Sequence, residues 1–227
     1  MRKKTVLVIV AHPDDEILGC GGTIAKLTKA GYEAFTVILG EGITSRFDGA
    51  DSEKKRELIK ELKQQAAKAN KIIGVKDVMI YNFPDNRLDT VPLLDIVKTI
   101  EKVKNKIKPD IIFTHYEKDL NIDHRVVYKA VITASRPLSS ETVKEIYSFE
   151  VLSSTEWNYP LSFSPDVFFE INDTLKCKIR SIKTYRSELR ESRHPRSLKG
   201  VLLNAEYWGI KTGLKYAEAF KSVRIIK

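Results

Sequence analysis

The run Thr5–Val10 is continuously apolar or β-branched, and it passes directly into Ala11-His12-Pro13-Asp14-Asp15-Glu16. An apolar run of this length fits a strand covered on both faces, as in the interior of a parallel sheet. Pro13 is suited to the first turn of a following helix, which would run to about Ala30 and stop at Gly31. The same pattern recurs down the chain. Ala34–Leu39 reads as a second buried strand, and residues 40–51 as a polar loop containing glycine. Ser52 would cap a long helix through Ile73, closed by Gly74. Asp77–Tyr81 is a third strand, and Leu93–Ile107 a helix ended before Pro109. Ile111–Thr114 is a fourth strand, followed by the loop His115–Asp123 and a helix from about His124 to Ser135.

Strands alternating with helices predict an α/β fold: a Rossmann-like, mostly parallel sheet with helices on both faces. The last third departs from this rhythm. Ile146–Leu152 and Val167–Ile171 read as further strands, and Asn172 or Asp173 as the cap of a helix through roughly Arg190. A break at His194-Pro195-Arg196-Ser197 leads to another helix and then Gly213. With 227 residues the chain has enough material for one sizeable domain. Residues 1–135 would form its core, and residues 136–227 an extension building one wall of a site.

Several classes can be set aside. The apolar part of the N-terminus is too short for a secretory signal and no small-residue cleavage site follows it. No stretch is long and apolar enough to span a membrane. A cytoplasmic chain is therefore expected. Cys20 and Cys177 form neither a disulfide framework nor a metal-spaced pair. The formal charge of +9 raises the question of a nucleic-acid partner. However, the basic residues are mixed with Glu at helical spacing along 53–68 and 98–106, as on solvated helix faces, and no nucleic-acid motif accompanies them. No nucleic-acid partner is expected.

In parallel sheets, ligands bind at the carboxyl ends of the strands, and two of those ends carry unusual residues. After the first strand, a histidine and adjacent carboxylates sit where the chain leaves the core. This is a costly place for charge unless a cation or solvated cleft meets it. His12 and Asp15 are three residues apart, so a first helical turn brings them to one side, and imidazole with carboxylate suits zinc. Asp14, between them, is left free to work on water. An acidic helix start would explain the carboxylates through the helix dipole, but not His12. Gly19, Gly21 and Gly22 follow without a dinucleotide fingerprint or P-loop lysine, so they are read as allowing close helix–sheet packing. After the fourth strand comes DLNIDHR, residues 119–125. It begins like a calcium loop but places His124 where glycine is needed and Ala130 where glutamate is needed. His124 is better read as a third metal ligand. Two histidines and one aspartate leave an open position, the layout of a catalytic zinc.

Together, AHPDDE at 11–16, FPDNRLD at 83–89, PDIIFTHYEKDLNIDHR at 109–125 and YAEAFKSVR at 216–224 resemble the PIG-L/LmbE-like zinc de-N-acetylases. The resemblance implies that His12, Asp15 and His124 bind Zn2+. It also implies that Asp14 is the general base and then the acid for the departing amine, and that the substrate is an N-acetylated amino sugar or its conjugate. One position departs from the family pattern. Many relatives have a histidine three residues before the ligand histidine, where it is thought to stabilise the oxyanion or assist protonation, and here that residue is Asn121. Either Asn121 supplies a neutral donor or another residue takes over, with His194 the candidate, acting in its own site or in that of a neighbouring subunit of a homo-oligomer. His115 ends a strand on the functional face but matches no ligand position. Arg46 is a candidate for holding the substrate. Asp85 and Arg87 are too, with a mutual salt bridge as the alternative. Two rival classes stay open: another zinc metallohydrolase, such as an esterase or phosphoesterase, and a metal-binding protein without catalysis.

Overall fold

The computed structural model describes residues 2–46 and 52–227, with the side chains of Arg46 and Ser52 outside that description. Seven strands form one sheet: β1 (Thr5–Val10), β2 (Glu33–Gly40), β3 (Asp77–Phe83), β4 (Ile111–His115), β5 (Glu145–Phe149), β6 (Val167–Glu170) and β7 (Ala217–Ile225). Their order is β3-β2-β1-β4-β5-β7-β6. The five strands from β3 to β5 are parallel, and β7 is antiparallel to both β5 and β6. The expected α/β, mostly parallel sheet is what the chain forms.

The alternation within β1 sorts the helices. Val6, Val8 and Val10 face a core built with α1 (Asp15–Lys29), α2 (Ser52–Ile72) and α5 (Leu175–Ile182). Leu7 and Ile9 face the opposite core, against α3 (Leu93–Ile107) and α4 (Ile122–Ala134). All six residues of β1 are buried, as a strand covered on both faces requires. The sixth helix, α6 (Leu198–Thr212), packs on β6 and β7. Gly19 explains how α1 lies so close to the sheet. A Cβ built there would stand 2.1 Å from the Phe149 ring.

Strand order reverses at β1, which has β2 on one side and β4 on the other. That leaves a crevice between the carboxyl ends of β1 and β4, where open α/β sheets bind ligands.

Three elements differ from the sequence expectation. The strand expected to reach Leu152 ends at Phe149, because Val151 turns into a loop closed by hydrogen bonds with Thr155. The helix expected to run to Arg190 covers only Leu175–Ile182, and Thr174, not Asn172 or Asp173, sits at its cap position. Asn172 instead accepts a hydrogen bond from the Tyr216 amide, and turns at 181–185 carry Tyr185 into the core. Residues 217–225 form a strand that hydropathy alternation did not announce. Of the two cysteines, Cys20 is buried, whereas Cys177 is half-buried against the core.

Candidate metal centre and active site

The crevice is lined by the segments that follow each of the five parallel strands, with Glu188 and Arg196 added from the C-terminal third. At the end of β1, the chain turns sharply through Asp14, which takes a left-handed backbone (φ 103°). A non-glycine residue held there costs about 1–3 kcal/mol and persists only where its surroundings impose it. They do so here through Glu16. Glu16 accepts the Asp14 N–H at 3.1 Å, the Tyr185 hydroxyl, and the Asn70 amide at 2.8 Å. Asn70 in turn accepts from Thr36 of β2. Burial pushes the Glu16 carboxyl up to about 7.

This turn presents Asp14 and Asp15 to a small cavity of about 110 Å³, lined also by His12, Asp85, Asn121, His124, Glu188 and Arg196. Asp15 Oδ2 lies 3.4 Å from His12 Nδ1 and 3.3 Å from His124 Nε2. One donor atom from each of these three residues falls within 4.8 Å of the others. Tetrahedral zinc, at about 2.0–2.2 Å from nitrogen and oxygen, sets its ligands roughly 3.3 Å apart. The donor set therefore fits the ion in chemistry and in spacing.

The opposite edges of both histidines are held by carboxylates. His12 Nε2 lies 3.0 Å from Asp123 Oδ2 and 3.3 Å from Asp85 Oδ1. His124 Nδ1 lies 3.1 Å from Asp119 Oδ1. Asp123 also accepts the Leu88 N–H, and Asp119 accepts the Ser154 and Thr155 hydroxyls. Carboxylates placed behind metal-binding imidazoles fix the tautomer and the ring direction. A second grouping, His12 with Asp85 and Asp123, also has metal-donor spacing, but it shares His12 and gathers at its outer nitrogen.

Electrostatics follow from this crowding. Burial pulls His124 down, but Asp15 and Asp119 outweigh it and bring it up to about 9. Burial also opposes the charge on His12, yet Asp123, Asp15 and Asp85 raise it well above its usual range. Asp15 is held well below the ordinary carboxylate range, because the histidines overcome its burial. Asp14 goes the other way: burial raises it well above that range, Arg196 pulls it back in part, and the neighbouring carboxylates add to the rise.

The other residues singled out from sequence are placed as follows. His115 is fully buried; its Nε2 accepts the Ala11 N–H at 2.8 Å, and its ring stacks on His124 at 3.9 Å. Asn121 is the N-cap of α4, accepting from the Asp123 N–H at 2.8 Å and donating to Asn86 at 2.9 Å. His194 is half-buried and does not line the cavity; its ring meets Trp157 edge-on at 5.7 Å. Asp85 lines the cavity and accepts from Ser45, so the salt bridge weighed for it with Arg87 does not form; Arg87 is exposed. The Arg46 side chain lies outside the described residues. Arg196 and Glu188 were not anticipated, although Arg196 lies in the same RHPRS break that drew attention to His194. Its Nη1 lies 3.1 Å from Asp14 Oδ2. Among the described residues, no helix is long and apolar enough to cross a membrane.

Comparison with known proteins agrees with this geometry. The family model described as "PIG-L: GlcNAc-PI de-N-acetylase" matches residues 7–135. The chain is similar to the uncharacterized deacetylase YaiS of Escherichia coli K12, with 31% identity over 82% of this chain and 92% of that one. It is also similar to the diacetylchitobiose deacetylase of Thermococcus kodakarensis, with 28% identity over 97% of this chain and 83% of that one. Among solved structures, the 4-carboxy-2-hydroxymuconate hydratase GalB of Pseudomonas putida shares the fold (TM-score 0.76, 21% identity, 99% of this chain and 98% of that one). The matched region carries both motif clusters and all three candidate ligands, and the chain belongs to the PIG-L family of de-N-acetylases.

Proposed function

We propose that this chain is a zinc-dependent hydrolase that removes the acetyl group from an N-acetylated amino sugar or its conjugate, giving acetate and a free amine. One observation carries the reading: Asp14, free of the three-residue donor set, opens onto the same small cavity as that set. The cavity size supports an acetyl substrate. A 150 Å³ cavity holds benzene, a six-atom ring. About 110 Å³, shared with the ion, has room for a small group such as an acetamido and not for a sugar ring, which would sit at the mouth.

His12, Asp15 and His124 would hold the ion. A zinc ion there supplies Lewis acidity toward the amide carbonyl and makes water easier to deprotonate near neutral pH. Asp14 takes the proton from the attacking water. Its raised pKa suits a group that must bind a proton and give it back. When the C–N bond breaks, the electron pair stays on nitrogen, and Asp14 returns the proton there. The left-handed turn at Asp14 and the Glu16–Tyr185–Asn70 network hold its carboxylate at the cavity. The relative that acts on diacetylchitobiose favours an N-acetylglucosamine-type substrate. Since the fold also carries a hydratase, the reaction is argued from these side chains and not from architecture.

The test is Asp14→Asn. It should lower turnover of N-acetylglucosamine or diacetylchitobiose by roughly 10²–10⁴, the usual contribution of a general base, while zinc content stays at the wild-type level. Zinc loss in this variant would make Asp14 a ligand, and retained turnover would remove it from the mechanism.

A further inference from the structure

Hydrolysis of an amide builds negative charge on the carbonyl oxygen, and a preorganised donor beside that oxygen is usually worth more than any other single feature of such a site. Neither candidate from sequence puts a cation at the cavity. Asn121 lines the cavity, but it is a neutral group fixed as a cap, with Oδ1 accepting from the Asp123 N–H and one Nδ2 hydrogen given to Asn86. His194 stands outside the cavity, with Nδ1 accepting the Arg196 N–H at 3.1 Å.

Arg196 is placed differently. Among the described residues it is the one lysine or arginine lining the cavity. Its Nη1 lies 3.1 Å from Asp14 Oδ2 and 4.0 Å from Glu188 Oε2. Its Nε donates to Ser153 Oγ at 2.8 Å. The backbone is fixed as well, by the His194 ring behind and by Ser197, the N-cap of α6, ahead. A guanidinium has five N–H donors in a rigid fork. Nε and Nη1 are engaged, while Nη2 makes no hydrogen bond among the described residues.

We propose that Arg196 is a catalytic residue of this site, the cation that aligns Asp14 and donates a hydrogen bond to the carbonyl oxygen as charge develops on it. The proposal rests on the deacetylase reading above. In the addition step, a water O–H bond breaks, its proton goes to Asp14, and its oxygen bonds to the carbonyl carbon. The C=O π pair moves onto oxygen, toward the Arg196 fork. In the collapse step that pair re-forms the carbonyl, the C–N bond breaks, and nitrogen takes the proton from Asp14. Acetic acid and amine leave and ionise in solution to acetate and the ammonium form, and Arg196 gives up no proton at any point.

The experiment compares wild-type protein with Arg196→Ala and Arg196→Lys, each zinc-loaded and checked for zinc content and circular dichroism. With diacetylchitobiose, Arg196→Ala should lower kcat by roughly 10²–10³ with KM changed less than about threefold, the signature of an interaction made in the transition state. Added guanidinium should restore part of that activity and leave wild type unaffected. Arg196→Lys should retain more activity than Arg196→Ala, and it keeps the test open if the alanine variant fails to fold. A second readout does not need turnover. Methylphosphonate, a tetrahedral anion shaped like the hydrated acetyl group, is titrated calorimetrically into each protein and should bind wild type at least about tenfold more tightly than Arg196→Ala. An unchanged kcat with raised KM would make Arg196 only a substrate anchor and overturn the proposal. Equal methylphosphonate affinity, or none for wild type, would overturn it too. If wild type released no acetate from any N-acetyl sugar, the deacetylase reading would fail, and the methylphosphonate titration would still decide whether Arg196 serves a tetrahedral oxyanion.

Discussion

Zinc should displace protons when it binds, because His124, one of its three proposed ligands, is held in the protonated form. His124 sits near 9 when no metal is present, so at pH 7 only about one molecule in a hundred has the neutral ring that can coordinate. His12 is also raised well above its ordinary range by Asp123 and Asp15 against its burial. Binding at pH 7 should therefore release about one proton from His124, and the apparent zinc Kd should fall about tenfold per pH unit or more between pH 6 and 8. The same shift bears on folding. A folded-state value above the unfolded one of 6.5 means that His124 stabilises the metal-free protein fully below pH 6.5 and loses that contribution as pH rises through 9. At about 1.4 kcal/mol per pKa unit, the full contribution is on the order of 3 kcal/mol. Calorimetric titration of zinc in buffers of different ionisation enthalpy counts the protons, and thermal melts of metal-free protein from pH 6 to 9 report the stability. Zinc binding that released no protons and had the same Kd at pH 6 and 8 would refute the reasoning.

Three further outcomes follow from the packing. Gly19→Ala puts a Cβ into the Phe149 ring; overpacking of about 1–3 kcal/mol outweighs the better helix propensity, so the denaturation midpoint drops, and adding Phe149→Val should recover part of it. Lys178→Met removes a buried cation that bonds Glu218 and the Leu18 carbonyl, leaving Glu218 uncompensated against α1; a loss of about 3–5 kcal/mol is expected in urea unfolding, part of it regained with Glu218→Gln. His194→Ala should lower turnover less than about tenfold, since its ring lies outside the cavity, whereas a loss of about 10² or more would return it to the acid–base machinery.

The sequence was most readable where local signals and long-range structure coincide. Thr5–Val10 is apolar throughout because both of its faces are covered, and the charged cluster after it stands out because charge is costly at that boundary. The donor set His12, Asp15 and His124 could be proposed from two short segments because strand order brings the ends of β1 and β4 side by side. The last third was harder to read. The helix after Asn172 keeps a helical pattern beyond Ile182, but Tyr185 is drawn into the core by Glu16, a partner 169 residues away. Residues 217–225 alternate weakly because their pairing with β5 and β6 decides their state. Arg196 is one of 39 basic residues, and it is distinguished by its place at the cavity and its contact with Asp14, both of which depend on the fold. Asp119 and Asp123 were noticed as a failed calcium loop, while their actual place, behind the ring nitrogens of His124 and His12, depends on the fold.

The most direct test of the account is acetate release from N-acetylglucosamine, diacetylchitobiose and a nucleotide-linked N-acetylglucosamine, measured side by side with zinc-loaded and chelator-stripped protein. The account predicts acetate and free amine in equal amounts from at least one of the three, lost on chelation and restored by zinc. Acetate release that persists in metal-free protein, or no acetate from any of them by protein that holds stoichiometric zinc, would contradict it.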